Sequence, residues 1–90
     1  MEEGMNKRKL LAKALTGSKN LPFSDLVALV KAFGFYLSRV NGSHHIFVHP
    51  KIREIVNLQE VKGKAKPYQV RQFLQLVEQY DLELGDGDES

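Results

Sequence analysis

The chain has 90 residues, 42% of them apolar and 27% charged, which suffices for one small domain with a single hydrophobic core. It has no cysteine, no apolar run near the roughly 20 residues of a membrane span and no secretory signal after its acidic start, so we expect a cytoplasmic protein rather than a secreted or membrane protein. The net charge is +2, but residues 1–77 hold all 13 lysines and arginines and only five of the 11 acidic residues, so a basic body precedes an acidic end.

Two helices are predicted before any strand. The first covers residues 6–15, with Asn6 as its cap, Gly17 at its end and an apolar stripe of Leu10, Leu11, Ala14 and Leu15. A linker with Pro22 follows, and Ser24 is the predicted N-cap of the second helix, with Asp25 at its positive end. The spacing of a buried helix face is then shown by Leu26, Leu29, Val30 and Phe33.

Three strands follow, joined by short turns. Strands are predicted over 35–40 and 44–49 from their aromatic and branched residues, with Asn41-Gly42 between them as a type I′ hairpin turn. Pro50 cannot donate to a ladder and ends the second strand, and the third strand covers 54–58. The amphipathic helices have to cover the apolar side of this sheet, so we expect an α+β fold with a three-stranded antiparallel sheet and helices on one face.

The rest of the chain contains a basic loop, a last helix and an acidic tail. The loop covers 59–66, and Pro67 suits the first turn of the helix, whose buried stripe consists of Val70, Phe73, Leu74 and Val77. Residues 85–90 are too polar to pack and are predicted to be disordered. The predicted organisation is an N-terminal helical extension with its linker over 1–20, a main domain over 21–84 and the acidic tail over 85–90.

The hairpin turn determines which strand residues share a face of the sheet. With Asn41-Gly42 at the tip, Ser38 is opposite His45 and Tyr36 is opposite Phe47. The helix side then carries Phe35, Leu37, Ile46 and Val48, with His44 at its rim beside Arg39. The open face carries Tyr36, Ser38, Ser43, His45 and Phe47. A longer loop or a bulge would move the register by one residue and reverse this assignment.

Exposed aromatic side chains beside a histidine in a basic body suit an unpaired nucleic acid, because bases stack on aromatic rings while lysine and arginine neutralise phosphates. The alternative for the charge is a solvated surface with a solubilising tail, and the alternative for Phe47 is packing under a helix or in a subunit contact. A metal site is not expected. His45 and His49 are about 13 Å apart along one strand face, which is too far for zinc ligation at roughly 2 Å.

Residues 42–50 have the sequence Gly-Ser-His-His-Ile-Phe-Val-His-Pro, and a short strand, a basic loop and a helix that opens at Lys66-Pro67 follow them. This order of features resembles the HicA family, small RNase toxins of bacterial toxin–antitoxin pairs. The resemblance covers residues 21–82. It implies a double-stranded-RNA-binding-like α-β-β-β-α fold, here preceded by an extra N-terminal helix, and mRNA cleavage without a metal or other cofactor. It also implies inhibition by a HicB-like antitoxin and a catalytic role for the second histidine of the pair, His45.

Histidine suits this chemistry, because its unperturbed pKa of about 6.5 lets it take a proton from a ribose 2′-OH or give one to the leaving 5′-oxygen. We therefore expect a metal-independent endoribonuclease, an mRNA interferase toxin of a type II pair, with His45 as its general acid or base. The candidate RNA-binding residues are Arg39, Ser43, His44, Phe47, Lys62, Lys64, Lys66 and Arg71. The alternative is a non-catalytic RNA-binding or partner-binding module of the same fold.

Overall fold

The helices and strands follow the order that apolar spacing and turn residues predict. The computed structural model describes residues 7–15 and 21–84. The elements in these residues are α1 (Lys7–Leu15), α2 (Phe23–Ala32), β1 (Tyr36–Asn41), β2 (His44–His49), β3 (Ile52–Gln59) and α3 (Pro67–Gln79). The predicted α-β-β-β-α order with an additional N-terminal helix is therefore confirmed. The predicted cap at Asn6, the helix end at Gly17 and the disordered tail over 85–90 lie outside the described residues.

The three strands form one antiparallel sheet in the order β1-β2-β3, and helices cover one of its faces. The predicted stripes of α2 and α3 supply much of the core, and they pack with Phe35, which precedes β1, and with the buried strand residues Phe47, Val56 and Leu58. Phe73 of α3 makes edge-on contacts with Phe33 and Phe35, each with 5.7 Å between ring centroids. None of the described helices is long and apolar enough to cross a membrane.

The start of α2 differs from the prediction. The helix begins at Phe23, and its N-cap is Pro22 in an extended conformation (φ −60°, ψ 143°) rather than Ser24. The Pro22 carbonyl accepts a hydrogen bond from the Asp25 N–H at 3.0 Å, so the backbone itself closes the first turn without a serine cap. Asp25 lies in the first turn, as predicted, and forms an ion pair with Lys13 of α1 at 3.1 Å.

The β1–β2 hairpin has a different register from the predicted one. Asn41 pairs with His44, so Gly42 and Ser43 are the central turn residues, and of these only Gly42 has a positive φ (63°), as in a type II′ turn. A bulge after Leu37 shifts the pairing once more. The predicted type I′ turn and the residue pairs that followed from it are therefore wrong.

The observed register exchanges the two faces of β2. Its second, fourth and sixth residues, His45, Phe47 and His49, lie on the helix side, and the other three lie on the open side. Phe47 is 1% exposed and packs in the core with Val56 and Leu58. Burying the phenyl ring removes more apolar surface from water than burying a valine or isoleucine in its place, which favours the observed register.

His49 connects the end of α2 to the β2–β3 turn. Its Nε2–H donates to the Phe33 carbonyl at 3.2 Å, and its Nδ1 accepts from the Lys51 N–H at 3.0 Å. The ring also lies edge-on to Phe35, with 4.9 Å between centroids. Gly34 follows α2 with φ +99°, and a Cβ placed on it would be 2.8 Å from His49 Nε2. Both the backbone conformation and the histidine ring therefore require glycine at this position.

Gly34→Ala is expected to lower the free energy of unfolding by about 2–4 kcal/mol, because it adds backbone strain and displaces the His49 ring from its hydrogen bond. Gly42→Ala is the matched control, since its φ is also positive (+63°) but no atom lies within 4 Å of the added Cβ. The control should cost only about 1 kcal/mol. Urea unfolding followed by circular dichroism measures both values, and equal losses would contradict the importance of the His49 contact.

Tyr80, which follows α3, ties that helix to β3. Its hydroxyl donates to Glu54 Oε1 at 2.5 Å. This hydrogen bond, with some desolvation and the negative charge of Glu54, raises the pKa of Tyr80 above its usual value of 10.0. Tyr80 therefore keeps its hydroxyl proton, and with it the contact with Glu54, at neutral pH. The contact is lost only in alkaline solution, as the pH rises through the raised pKa of Tyr80.

Candidate active site

The tip of the β1–β2 hairpin is the point at which the site residues meet. Gly42 supplies the positive φ of the turn, and two atoms of Ser43, the carbonyl oxygen and the hydroxyl oxygen, accept hydrogen bonds. The Ser43 carbonyl accepts hydrogen bonds from His45 Nδ1 at 3.3 Å and from the Glu60 N–H at 3.2 Å. Its hydroxyl oxygen accepts from Gln59 Nε2 at 3.4 Å. The tip is therefore held both by β2 and by the end of β3.

His45 is the second residue of β2, on the helix side of the sheet. Its ring is half-buried and packs against the Phe23 ring at the start of α2, with 5.0 Å between centroids and a tilt of 57°. Because the Ser43 carbonyl can only accept, His45 Nδ1 carries the proton of their hydrogen bond. Within the described residues, nothing forms a hydrogen bond with Nε2. A neutral His45 therefore has its lone pair on Nε2, where it can accept a proton from a ligand.

A tight basic turn is fixed beside the start of α2. Val61 and Lys64 exchange two backbone hydrogen bonds of 3.0 and 3.2 Å. Both residues between them, Lys62 and Gly63, have a positive φ (53° and 77°), as in a type I′ turn. The Gly63 carbonyl accepts from the Phe23 N–H at 2.9 Å. The phenylalanine that packs on the histidine ring thus also anchors the turn that carries two lysines.

Lys66 lies at the start of α3 and reaches the end of β3. Its Nζ donates to Gln59 Oε1 at 2.9 Å and stands 5.7 Å from the centre of the Tyr68 ring. Gln59 is itself fixed, because its backbone N–H donates to Oε1 of the buried Gln69 at 3.1 Å. Lys66 is therefore held by a hydrogen bond and a cation–π contact, and Gln59 joins it to Ser43 at the hairpin tip.

The other two histidines contact different parts of the molecule. His44 is exposed on the open face, where its Nδ1 is hydrogen-bonded to Asn57 Oδ1 at 3.1 Å. His49 uses both ring nitrogens in the contacts that hold the end of α2. Across residues 7–15 and 21–84, no three histidine, cysteine or acidic side chains are placed to hold a metal ion together. Each of the three histidines therefore has separate surroundings.

Most of the main domain matches a known protein family. Residues 23–78, more than half of the chain, match the family described as HicA toxin of bacterial toxin-antitoxin. The chain belongs to the HicA toxin family. The resemblance drawn from residues 42–50 and the Lys66-Pro67 helix start is thereby confirmed. Comparisons with curated proteins and with solved structures returned no match.

The structure of this HicA chain gathers only part of the predicted RNA-binding set near His45. The residues gathered at the same end of the sheet are Ser43, Lys62, Lys64 and Lys66. Arg39 pairs with Ile46 and lies on the open face, as His44 does. Arg71 lines an apolar groove of about 660 Å³ between α1 and α3. Arg71 therefore lies on another surface, while Arg39 and His44 lie on the open face of the sheet, where His44 is next to the hairpin tip and pairs with Gln59.

The exchange of faces overturns the orientations predicted for the side chains of β2 in the HicA hairpin, and it changes the reading of Phe47 and His45 most. Phe47 is 1% exposed and cannot stack on a base from the open face, and His45 faces the helices instead of the open side. The physical reason is the position of the turn, since moving its centre from Asn41-Gly42 to Gly42-Ser43 sends alternate side chains to opposite faces. The ring of His45 is nevertheless only half-buried, because it lies next to the hairpin tip.

Three residues around the site were not predicted, namely Phe23, Gln59 and Tyr68. Phe23 follows Pro22 and looks in the sequence like an ordinary core residue of a helix. Gln59 is 16 residues from Ser43, and only the pairing of β2 with β3 brings their side chains together. Tyr68 carries the one usable signal, because a helix that starts at Pro67 brings an aromatic ring close to Lys66.

Proposed function

We propose that this HicA-family chain is a metal-independent endoribonuclease that cleaves mRNA in the cytoplasm, with His45 exchanging protons with the RNA. The observation that carries the proposal is the protonation pattern of His45. Its Nδ1–H donates to the Ser43 carbonyl at 3.3 Å, which leaves Nε2 to accept a proton from a substrate that lies beside the basic turn. The family match supports the same reading, because it assigns the chain to the toxin of a toxin–antitoxin pair.

The proposed reaction uses the 2′-OH next to the scissile phosphate. Nε2 of neutral His45 accepts the 2′-OH proton while the 2′-oxygen bonds to phosphorus and the bond from phosphorus to the 5′-oxygen breaks. The leaving 5′-oxygen takes a proton from solvent, which gives a 2′,3′-cyclic phosphate and a 5′-hydroxyl. Proton transfer to a positioned side chain typically contributes on the order of 10²–10⁴-fold to such a rate.

The RNA backbone would approach the end of the domain where the hairpin tip, the basic turn and the start of α3 meet. Lys62, Lys64 and Lys66 belong to this end, and the positive dipole ends of α2 and α3 lie there as well. Lys62 holds a left-handed φ of 53°, which is unusual for lysine. Such strain costs on the order of 1 kcal/mol and is concentrated at functional sites, which supports a use for the charge at this position.

The purified protein is expected to cleave RNA in excess chelator. A single 2′-deoxy substitution at the scission site should abolish cleavage there, because it removes the attacking oxygen. Gel analysis of an oligonucleotide cleaved at a mapped position tests this, and the matched control carries the 2′-deoxy nucleotide one position away. Cleavage that persists with the 2′-deoxy scission site would exclude attack by the 2′-OH, and cleavage only on addition of a divalent metal would exclude a metal-independent reaction.

The alternative is a non-catalytic RNA-binding module of the same fold. Both functions predict RNA binding that weakens steeply as salt is added, because both rely on lysine contacts with phosphate. A cleavage assay distinguishes the two functions, because a non-catalytic module leaves RNA intact both in chelator and in metal-containing buffer. Binding without cleavage by the wild-type protein would therefore select the module.

A HicB-like antitoxin is the expected protein partner. Inhibition by this partner would require it to cover His45 and the basic turn, since these form the proposed site. Its contact surface should be acidic, because the region to be covered carries Lys62, Lys64 and Lys66.

A further inference from the structure

The side chain of Lys66 is fixed by residues from two elements. Gln59 at the end of β3 accepts a hydrogen bond from the Lys66 ammonium at 2.9 Å, and the ring of Tyr68 in α3 lies 5.7 Å away. Lys66 is also half-buried, so part of its aliphatic stem is covered. A lysine loses considerable rotamer freedom when it is held in this way. Fixation of this kind is useful where a charge has to be in place before a ligand arrives.

Gln59 links Lys66 to the residue that orients His45. The glutamine Nε2 donates to the Ser43 hydroxyl at 3.4 Å, and the Ser43 carbonyl accepts from His45 Nδ1 at 3.3 Å. Two residues, Gln59 and Ser43, therefore connect the lysine ammonium to the histidine ring. An amide is uncharged, so Gln59 holds the ammonium without neutralising it, whereas a carboxylate at the same place would cancel its charge.

We propose that Lys66 is the cation that contacts the RNA phosphate at His45, and that Gln59 and Tyr68 are positioning residues that hold its ammonium group beside the hairpin tip. This inference rests on the proposed endoribonuclease function and assigns one lysine of the basic end to the reacting phosphate. Negative charge builds up on the non-bridging oxygens when the 2′-oxygen adds to phosphorus. An ammonium fixed in advance stabilises that charge without reorganising during the reaction.

Lys66→Met should lower kcat by about 10- to 100-fold, the scale of removing one fixed electrostatic contact to a transition state. Its RNA affinity should depend less on salt, with the slope of log affinity against log salt smaller by about one. Lys51→Met is the matched control, because it removes the same charge from the β2–β3 turn at the opposite end of β2. That control should change kcat by less than about twofold, because the charge is distant and screened.

Gln59→Glu and Tyr68→Leu test the positioning. Gln59→Glu keeps the acceptor for Lys66 but neutralises the ammonium, and it replaces the N–H donor to the Ser43 hydroxyl by an oxygen to which that hydroxyl can donate. Its kcat should therefore fall about as far as that of Lys66→Met. Tyr68→Leu should lower kcat while Tyr68→Phe, which keeps the ring, restores it. In a Lys66→Met background, Tyr68→Leu should have no further effect on kcat, because the cation–π contact with Lys66 has already been lost.

Binding of a non-cleavable 2′-deoxy strand to the same variants separates failure of this inference from failure of the proposed function. If the wild type cleaves no RNA but Lys66→Met binds the strand more weakly than Lys51→Met, the nuclease proposal fails and the phosphate contact stands. If Lys66→Met equals Lys51→Met in both kcat and affinity, the phosphate contact is overturned. Wild-type kcat in Gln59→Glu would overturn the positioning role of Gln59, and equal effects of Tyr68→Leu in both backgrounds would overturn that of Tyr68.

Discussion

His45→Gln is expected to lower the rate of RNA cleavage by about 10²–10⁴-fold, the range that a positioned acid–base side chain contributes. Glutamine keeps an N–H donor for the Ser43 carbonyl and much of the packing against Phe23, so the fold should remain. It cannot accept the proton of the 2′-OH, so the chemical step should be lost. Single-turnover cleavage of a labelled oligonucleotide measures that step, and circular dichroism verifies the fold.

His44→Gln is the matched control for this prediction. The two histidines are adjacent in β2, but His44 lies on the open side, where it pairs with Gln59 and is hydrogen-bonded to Asn57 at 3.1 Å, whereas the ring that packs on Phe23 is that of His45. Its replacement should change the cleavage rate by less than about threefold, as expected for an exposed side chain on the opposite face of the sheet from the His45 ring. A large loss with His44→Gln and a small one with His45→Gln would assign catalysis to the open face and reject the role of His45 Nε2.

The sequence predicted individual elements more reliably than the pairing between them. β2 has its predicted bounds, His44–His49, and α3 starts at the predicted Pro67, because a proline marks each boundary through its missing N–H. β3 is longer than the predicted 54–58, extending over Ile52–Gln59. Part of the reason is Gln69 of α3, whose side chain hydrogen-bonds the backbone of β3 near its end, a contact that no local pattern indicates.

The hairpin register could not be chosen from local residues. Asn41-Gly42 suits a type I′ turn, but Gly42-Ser43 suits a type II′ turn equally well, since that turn needs glycine only at its first central position. The alternation of apolar and polar residues along β2 does not decide between the two turn types, because Ile46, Phe47 and Val48 are all apolar. The space beneath the helices decides, since Phe47 fills it, and that space is formed by residues distant in the chain.

The same holds for the candidate site, where short sequence motifs could be predicted but the tertiary contacts around them could not. His45 became the candidate through the resemblance of residues 42–50 to a family motif, whereas its contact with Phe23 depends on how α2 meets the sheet. The type I′ geometry expected at Asn41-Gly42 occurs instead at Lys62-Gly63, where a lysine holds a positive φ. Local preference does not predict lysine there. The turn is held by the hydrogen bond from the Phe23 N–H to the Gly63 carbonyl, which only the tertiary fold creates.

Phe47→Ala is expected to lower the free energy of unfolding by about 3–5 kcal/mol, the usual cost of removing a buried phenyl ring. The side chain is 1% exposed and belongs to the core with Val56 and Leu58. A small domain is stable by only about 5–15 kcal/mol, so the variant should lose much of its stability. Urea unfolding followed by circular dichroism measures the loss against the wild type.

Tyr36→Ala is the control, because Tyr36 is an aromatic residue of the same hairpin that is 55% exposed on the open face. It should cost less than about 1 kcal/mol, as surface substitutions do. If Phe47→Ala instead kept wild-type stability and lost RNA affinity, the type I′ register would be correct and Phe47 would face the open side. His45 would then face that side too, without the Phe23 contact and the basic turn beside it. Unfolding of one variant therefore tests the placement of the proposed catalytic histidine in the absence of RNA.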